Sequence, residues 1–246
     1  SHHPSPDLVT KLDPTQALYS TFKPRRLTAE ELRDAMLIAS GELNREIGGL
    51  SARPDINLEV ARQPLQIMGG SASVYEPDPT PEQRNRRSLY AEKLRGLRDP
   101  FFETFNQPGS TNSCEIRETS TVAPQALTLI NSQEMHDRAL AFAHRLAKET
   151  QDDKQVIERA FQLALGRAPT PKETLTFLEA WRTATSDEST LSPKQSLPPN
   201  SIMRTVRAEK TGEFYTFKEF LTASKLYKAD LDRSQCNARI RGLSHL

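Results

Sequence analysis

The chain has 246 residues, with 33 basic against 32 acidic side chains, a formal charge of +1, 36% hydrophobic residues and 26% charged ones. This length gives one large domain or two small ones a real core, and near-neutrality removes the global field that steers proteins onto nucleic acid. No apolar run reaches the length of a membrane span, no basic and then apolar leader opens the sequence, and the two cysteines form neither Cys-x-x-Cys nor Cys-x-x-Cys-His, so no membrane insertion, zinc ribbon or covalent haem is expected.

Residues 1–23 open with Ser1-His2-His3-Pro4-Ser5-Pro6, which lacks an apolar period and reads as an extended N-terminal segment. The pattern changes at Thr28. Thr28 with Glu31 is a capping box, and Leu32, Met36, Ala39 and Leu43 follow at helical spacing, predicting a helix to about Glu46 that stops at Gly48-Gly49. From Gly49 to Pro81 repeated prolines interrupt every period, so a long irregular connection is expected, with Leu65-Gln66-Ile67-Met68 as a candidate short strand.

The densest basic stretch runs from Arg84 to Arg98 and includes Arg86, Arg87, Arg95 and Arg98 around Tyr90. A guanidinium offers a planar fork of donors to carboxylate, sulfate or phosphate; the competing reading is a solvated face or ion pairs with Glu92, Asp99 or Glu103. Phe101, Phe102 and Phe105 read as core anchors, and Cys114 beside Glu115 and Arg117 has no histidine near in sequence to make it a nucleophile. Cys114 and Cys236 leave two alternatives, one long-loop disulfide or two free thiols.

Beyond Thr121 the chain reads as helical. Pro124 suits a first turn, Asn131 with Glu134 caps a second helix, and Asp152 or Asp153 starts a third that Gly166 ends. His136 and His144 have no partner at metal-ligand spacing, and no metal site is expected. Thr170-Pro171-Lys172-Glu173 caps a helix with Leu175, Leu178 and Trp181 as its buried stripe, completing a helical hairpin. Residues 185–200 read as a linker or loop. In the C-terminal segment, 201–246, Glu213 to Phe217 reads as a strand, hairpinned across Lys210-Thr211-Gly212.

These elements predict a mainly α fold: an irregular helical domain over residues 24–184, with long Pro-rich loops, a helical hairpin and at most a small β-hairpin, on which residues 201–246 pack back.

Several strings together resemble one family. They are Arg25-Arg26-Leu27-Thr28-Ala29-Glu30-Glu31-Leu32, Arg86-Arg87-Ser88-Leu89-Tyr90, Phe105-Asn106-Gln107-Pro108, Ser113-Cys114-Glu115-Ile116-Arg117, Thr121-Val122-Ala123-Pro124-Gln125-Ala126-Leu127 and Ala160-Phe161-Gln162-Leu163-Ala164-Leu165-Gly166-Arg167. In this order they resemble a planctomycete-type domain of unknown function found toward the C-terminus of large secreted proteins that often carry cytochrome-c-like modules. The chain departs from that pattern in a short stretch before Arg25 and in lacking a hydrophobic helix after Ala238-Arg239, as a shortened form or fragment would.

The resemblance carries over no catalytic residue. It implies an exported protein of the periplasm or cell envelope, with other domains of a larger parent, including a cytochrome-c-like module, as partners. The leading expectation is a non-enzymatic accessory or interaction domain whose contact residues are Arg86, Arg87, Tyr90, Arg95, Arg98 and Arg117, with no cofactor in this segment. The alternatives are an envelope enzyme or binding module acting on acidic polysaccharide, and a docking partner of a c-type cytochrome.

Overall fold

The computed structural model describes residues 6–15, 25–57, 60, 65–67, 70–72, 75–95, 97–110, 113–193, 199–220 and 230–246. Its helices are α1 (Pro6–Leu12), α2 (Ala29–Ser40), α3 (Pro81–Arg84), α4 (Pro100–Thr104), α5 (Ala123–Asn131), α6 (Gln133–Glu149), α7 (Asp153–Leu165), α8 (Pro171–Ser189) and α9 (Ala238–Leu243). Two antiparallel pairs accompany them: β1 (Leu65–Ile67) with β2 (Gly70–Ala72), and β3 (Ser201–Arg207) with β4 (Phe214–Phe220). The fold is mainly α with a small β-hairpin. His2, His3 and Met68 lie outside the described residues.

The main core is a bundle of α6 to α9. Each helix starts on a side-chain cap: Ser132 accepts from the Met135 amide, Asp152 from that of Gln155 at 2.9 Å, and Thr170 and Glu173 form a reciprocal box. The first cap falls on Ser132, one residue past the expected Asn131. Ala143 and Leu146 from α6, Val156, Ile157 and Phe161 from α7, Leu178 and Trp181 from α8, and Leu243 from α9 form one buried cluster. Burying each large aliphatic side chain there contributes roughly 1.5–3 kcal/mol. The Trp181 indole donates to the Arg239 carbonyl at 2.9 Å, tying α8 to α9.

Two expectations on α8 change. Leu175 is exposed, because Leu178, Trp181 and Glu188 carry the buried stripe. The helix also runs to Ser189, into the segment read as a linker, because Glu188 is buried there under the Arg241 guanidinium, which donates to its Oε2 at 2.8 Å.

A smaller cluster joins α2, α4 and α5. Phe101, Phe102 and Ala29 are buried, with Leu32, Met36, Phe105 and Leu129 packed on them, and the Phe101 ring stands 6.0 Å from Phe102 and 5.0 Å from Phe105 between centroids. The three phenylalanines are core anchors, as their spacing implied. Helix α2 ends at Gly41, at φ 81°, earlier than the expected Gly48-Gly49. This left-handed residue returns its amide to the carbonyl of Ile38, and Arg145 from α6 donates to the carbonyls of Ile38 and Ala39 at 3.0 and 2.8 Å. The N-terminal segment read as extended contains α1, which Pro6 starts at a position where its missing N–H costs no hydrogen bond.

Candidate functional site

The arginine-rich segment leaves α3 at Asn85 and passes through a short 3-10 turn at Ser88–Tyr90 before α4. Arg84, Arg86 and Ser88 are buried, while Arg87 and Leu89 are exposed. Arg33 of α2 reaches across to this segment and donates to the carbonyls of Arg84 and Arg86 at 2.9 and 3.0 Å and to Ser88 Oγ at 3.2 Å. Arg86 in turn donates to the carbonyls of Leu50, at 2.5 Å, and of Gly48 and Glu46, and its guanidinium stacks 4.2 Å above the Tyr90 ring. These guanidinium groups satisfy carbonyls that an irregular loop cannot pair within itself.

Arg86 is therefore a buried internal support and not the surface contact expected of it, while Tyr90 beneath it is half-buried. Tyr90 also accepts from the Gly48 amide at 2.9 Å. Arg117 is held by Glu30, at 2.7 and 3.2 Å. Arg87, Arg95 and Arg98 remain exposed. Arg98 bridges to Glu103 at 2.6 Å and donates to the Gln107 carbonyl at 3.0 Å, whereas Arg95 has no ion-pair partner among the described residues.

Behind this segment lies an ion network that sequence reading missed. Arg84, fully buried, donates to the Asp78 carbonyl at 2.7 Å, approaches Asp55 at 2.9 Å and binds Asp230. Asp230 also pairs with Arg138 of α6 at 2.7 Å, and Arg138 meets Glu42 at 2.7 Å. At Asp230 burial opposes ionisation, but Arg138 and Arg84 outweigh it and hold the carboxyl below its usual range. At Glu42 burial wins over Arg138 and pushes the carboxyl up. One sequence signal pointed here: Arg33 occupies the same helical face as Ala29 and Leu37, where an apolar residue would be expected.

In front of the segment a groove opens to solvent. Its floor is apolar, from Pro54, Ile56, Tyr75, Leu94, Leu97 and Phe102, and Lys93 and Arg98 stand at its rim with Glu92 and Asp99. The Tyr75 hydroxyl donates to the Pro54 carbonyl at 2.7 Å, and burial holds its phenol above the usual value. Asp99 caps α4 by accepting from the Phe101 amide at 2.9 Å, and burial pushes its carboxyl up against that bond. Next to the groove, Glu30 lies 3.8 Å from Lys93 and is bonded to Arg117 and Gln107. Burial of Glu30 opposes its charge, but those hydrogen bonds prevail and lower its pKa to about 2.

Cys114 is exposed and Cys236 buried, and both are free, so of the two alternatives the structure has two thiols and no disulfide. Among the described residues no group of three His, Cys, Asp or Glu side chains is placed to hold a metal ion, and no helix is long and apolar enough to cross a membrane.

No curated protein and no solved structure matches the chain. A family model does match, over residues 1–181, which takes in α1 to α7, the groove and most of α8, and leaves the β3–β4 hairpin and α9 outside. The chain belongs to that family, PSD1, described as a protein of unknown function (DUF1553).

Proposed function

We propose that this chain is a non-enzymatic interaction module of a larger, exported envelope protein, and that the groove beside the arginine-rich segment receives an extended acidic and apolar stretch of a partner domain. One observation carries the reading: the basic side chains divide into two sets. Arg33, Arg84 and Arg86 use their donors on internal carbonyls and carboxylates, while Lys93, Arg95 and Arg98 are exposed around or beside an apolar floor. An apolar centre within a charged rim is how protein interfaces are built.

The resemblance of the sequence to secreted, cytochrome-associated proteins supports an exported parent and a cytochrome-c-like module as the partner. The test is affinity purification of the parent protein from its native envelope, with a haem absorbance scan and mass spectrometry of the eluate, for wild type and for Arg95→Glu/Arg98→Glu. A haem-bearing partner lost from the variant, and lost with rising salt, is the expected result. Recovery of the same partners by both proteins at low and high salt rules the groove out.

A second reading, an enzyme acting on acidic polysaccharide, draws on Asp99, a groove carboxyl that burial keeps more readily protonated than usual, as a general acid requires. Glu92, the other groove carboxylate, is bound to Arg53 at 2.6 Å. Polysaccharide hydrolysis by wild type that disappears in Asp99→Asn would establish this reading over the first; no hydrolysis by wild type removes it.

A further inference from the structure

The β3–β4 hairpin carries large apolar residues on both of its faces. Register pairs Ser201 with Phe220, Met203 with Lys218, Thr205 with Thr216 and Arg207 with Phe214, and these eight side chains share one face. All but Ser201 are exposed; Met203, Phe214 and Phe220 show 67%, 73% and 71% of their surface to solvent. The opposite face carries Ile202, Val206, Tyr215 and Phe217 together with the Arg204–Glu219 ion pair, whose side chains are only 6% and 15% exposed. A two-stranded ribbon ordinarily turns its large apolar residues inward and its charges outward. Here three further large apolar groups lie outside, beside Arg207 and Lys218, in addition to those on the opposite face.

The outward face is also electrically one-sided. It holds Arg207, 6.0 Å from the Phe214 ring centre, and Lys218, 5.2 Å from that of Phe220, and no carboxylate; Glu209, Lys210 and Glu213 lie beyond it in the turn. The Thr205 and Thr216 hydroxyls bond each other across its middle at 2.8 Å. From these features we infer that this face docks peripherally on an anionic lipid surface, with Met203, Phe214 and Phe220 entering the headgroup boundary and Arg207 and Lys218 reaching the lipid phosphates.

Two alternatives fit less well. A second copy meeting face to face would oppose cation to cation. A folded protein partner needs about 800 Å² on each side for a stable interface, whereas two seven-residue strands offer a face of roughly 20 by 10 Å. A bilayer asks only for aromatic groups at the headgroup level and cations that extend their charged ends toward phosphate. No residue of the hairpin lines the groove, so the two surfaces share no side chain.

The experiment is co-sedimentation of the full chain with vesicles of phosphatidylcholine alone and of phosphatidylcholine mixed with phosphatidylglycerol. Binding to the mixed vesicles only is expected, weakened by salt, and reduced about tenfold or more in Phe214→Ser/Phe220→Ser and in Arg207→Gln/Lys218→Gln. All four positions are exposed, and circular dichroism matching wild type confirms that the variants fold. The inference is overturned if wild type binds neither vesicle or if the phenylalanine variant binds like wild type. It is equally overturned if the face instead drives dimerisation in the ultracentrifuge, or if wild type binds soluble polyglutamate and not vesicles.

Discussion

A β-carbon on Gly242 would lie 2.6 Å from the backbone nitrogen of Thr185 and 2.8 Å from its α-carbon, so α9 crosses α8 at a distance only glycine permits. Gly242→Ala should push α9 away, loosen Leu243 from the Trp181 cluster and cost about 1–3 kcal/mol. Urea unfolding followed by Trp181 fluorescence measures this. Because the clash includes main-chain atoms, Thr185→Ala should not restore stability to the Gly242 variant, and a full rescue would show that side-chain crowding was the cause.

Arg33→Met keeps the length of the side chain but removes the donors that hold the carbonyls of Arg84 and Arg86 and the Ser88 hydroxyl. Stranding those buried groups should cost about 3 kcal/mol. The loss should be local as well as global, with proteases cutting first between Arg84 and Arg98. A melting temperature and cleavage pattern equal to wild type would show that the segment does not depend on Arg33.

Acid should unfold the protein partly through Glu30. Its pKa is lowered from 4.5 to about 2 in the folded state, so the unfolded chain binds more protons between those values. The stability Glu30 supplies is complete above about pH 5, disappears as pH falls toward 2 and, screened by solvent, amounts to about 1 kcal/mol. Glu30→Gln should therefore be less stable at pH 7 and show a flatter acid limb in denaturation curves taken across this range. Glu42 works in the opposite direction: its raised pKa makes its contribution less favourable as pH climbs from its unfolded value through its folded one.

The two thiols should differ in reactivity. Cys114 is exposed, whereas Cys236 is buried and its thiol is pushed up by burial, so a thiol reagent should label Cys114 in the native protein and Cys236 only after unfolding. Peptide mass spectrometry reads this directly. A peptide cross-linked between the two positions in oxidised native protein would contradict the arrangement of free thiols.

What was legible in the sequence was local. The Thr28–Glu31 and Thr170–Glu173 boxes, Pro124, Asp152 and Gly166 announce helix ends through groups that act within one turn, and the structure has helix ends at each. The hairpin over Lys210-Thr211-Gly212 was equally plain. The early stop of α2 was not, because Leu43 continues the apolar period past Gly41 and only the left-handed backbone at Gly41 shows that the helix has ended. The candidate site was half legible. Its basic stretch stands out by density, but which arginines face inward depends on partners as distant as Arg33, Asp55 and Asp230. Arg86 and Arg87, adjacent and chemically identical, end in opposite environments because Arg86 reaches the carbonyls of Leu50 and Gly48, far off in sequence, and Arg87 stays exposed.

The placement of α9 has a consequence for synthesis. Leu243 and the Arg239 carbonyl complete the surroundings of Trp181, yet they follow the end of α8 by a long stretch of chain. At roughly 5–20 residues per second, a ribosome that has finished α8 needs several seconds more to deliver them. Through that interval α6, α7 and α8 stand together with the indole uncovered. Nascent chains held short of Ala238 should accordingly offer Trp181 to chaperones or to a hydrophobic dye, and those extended through Leu243 should not.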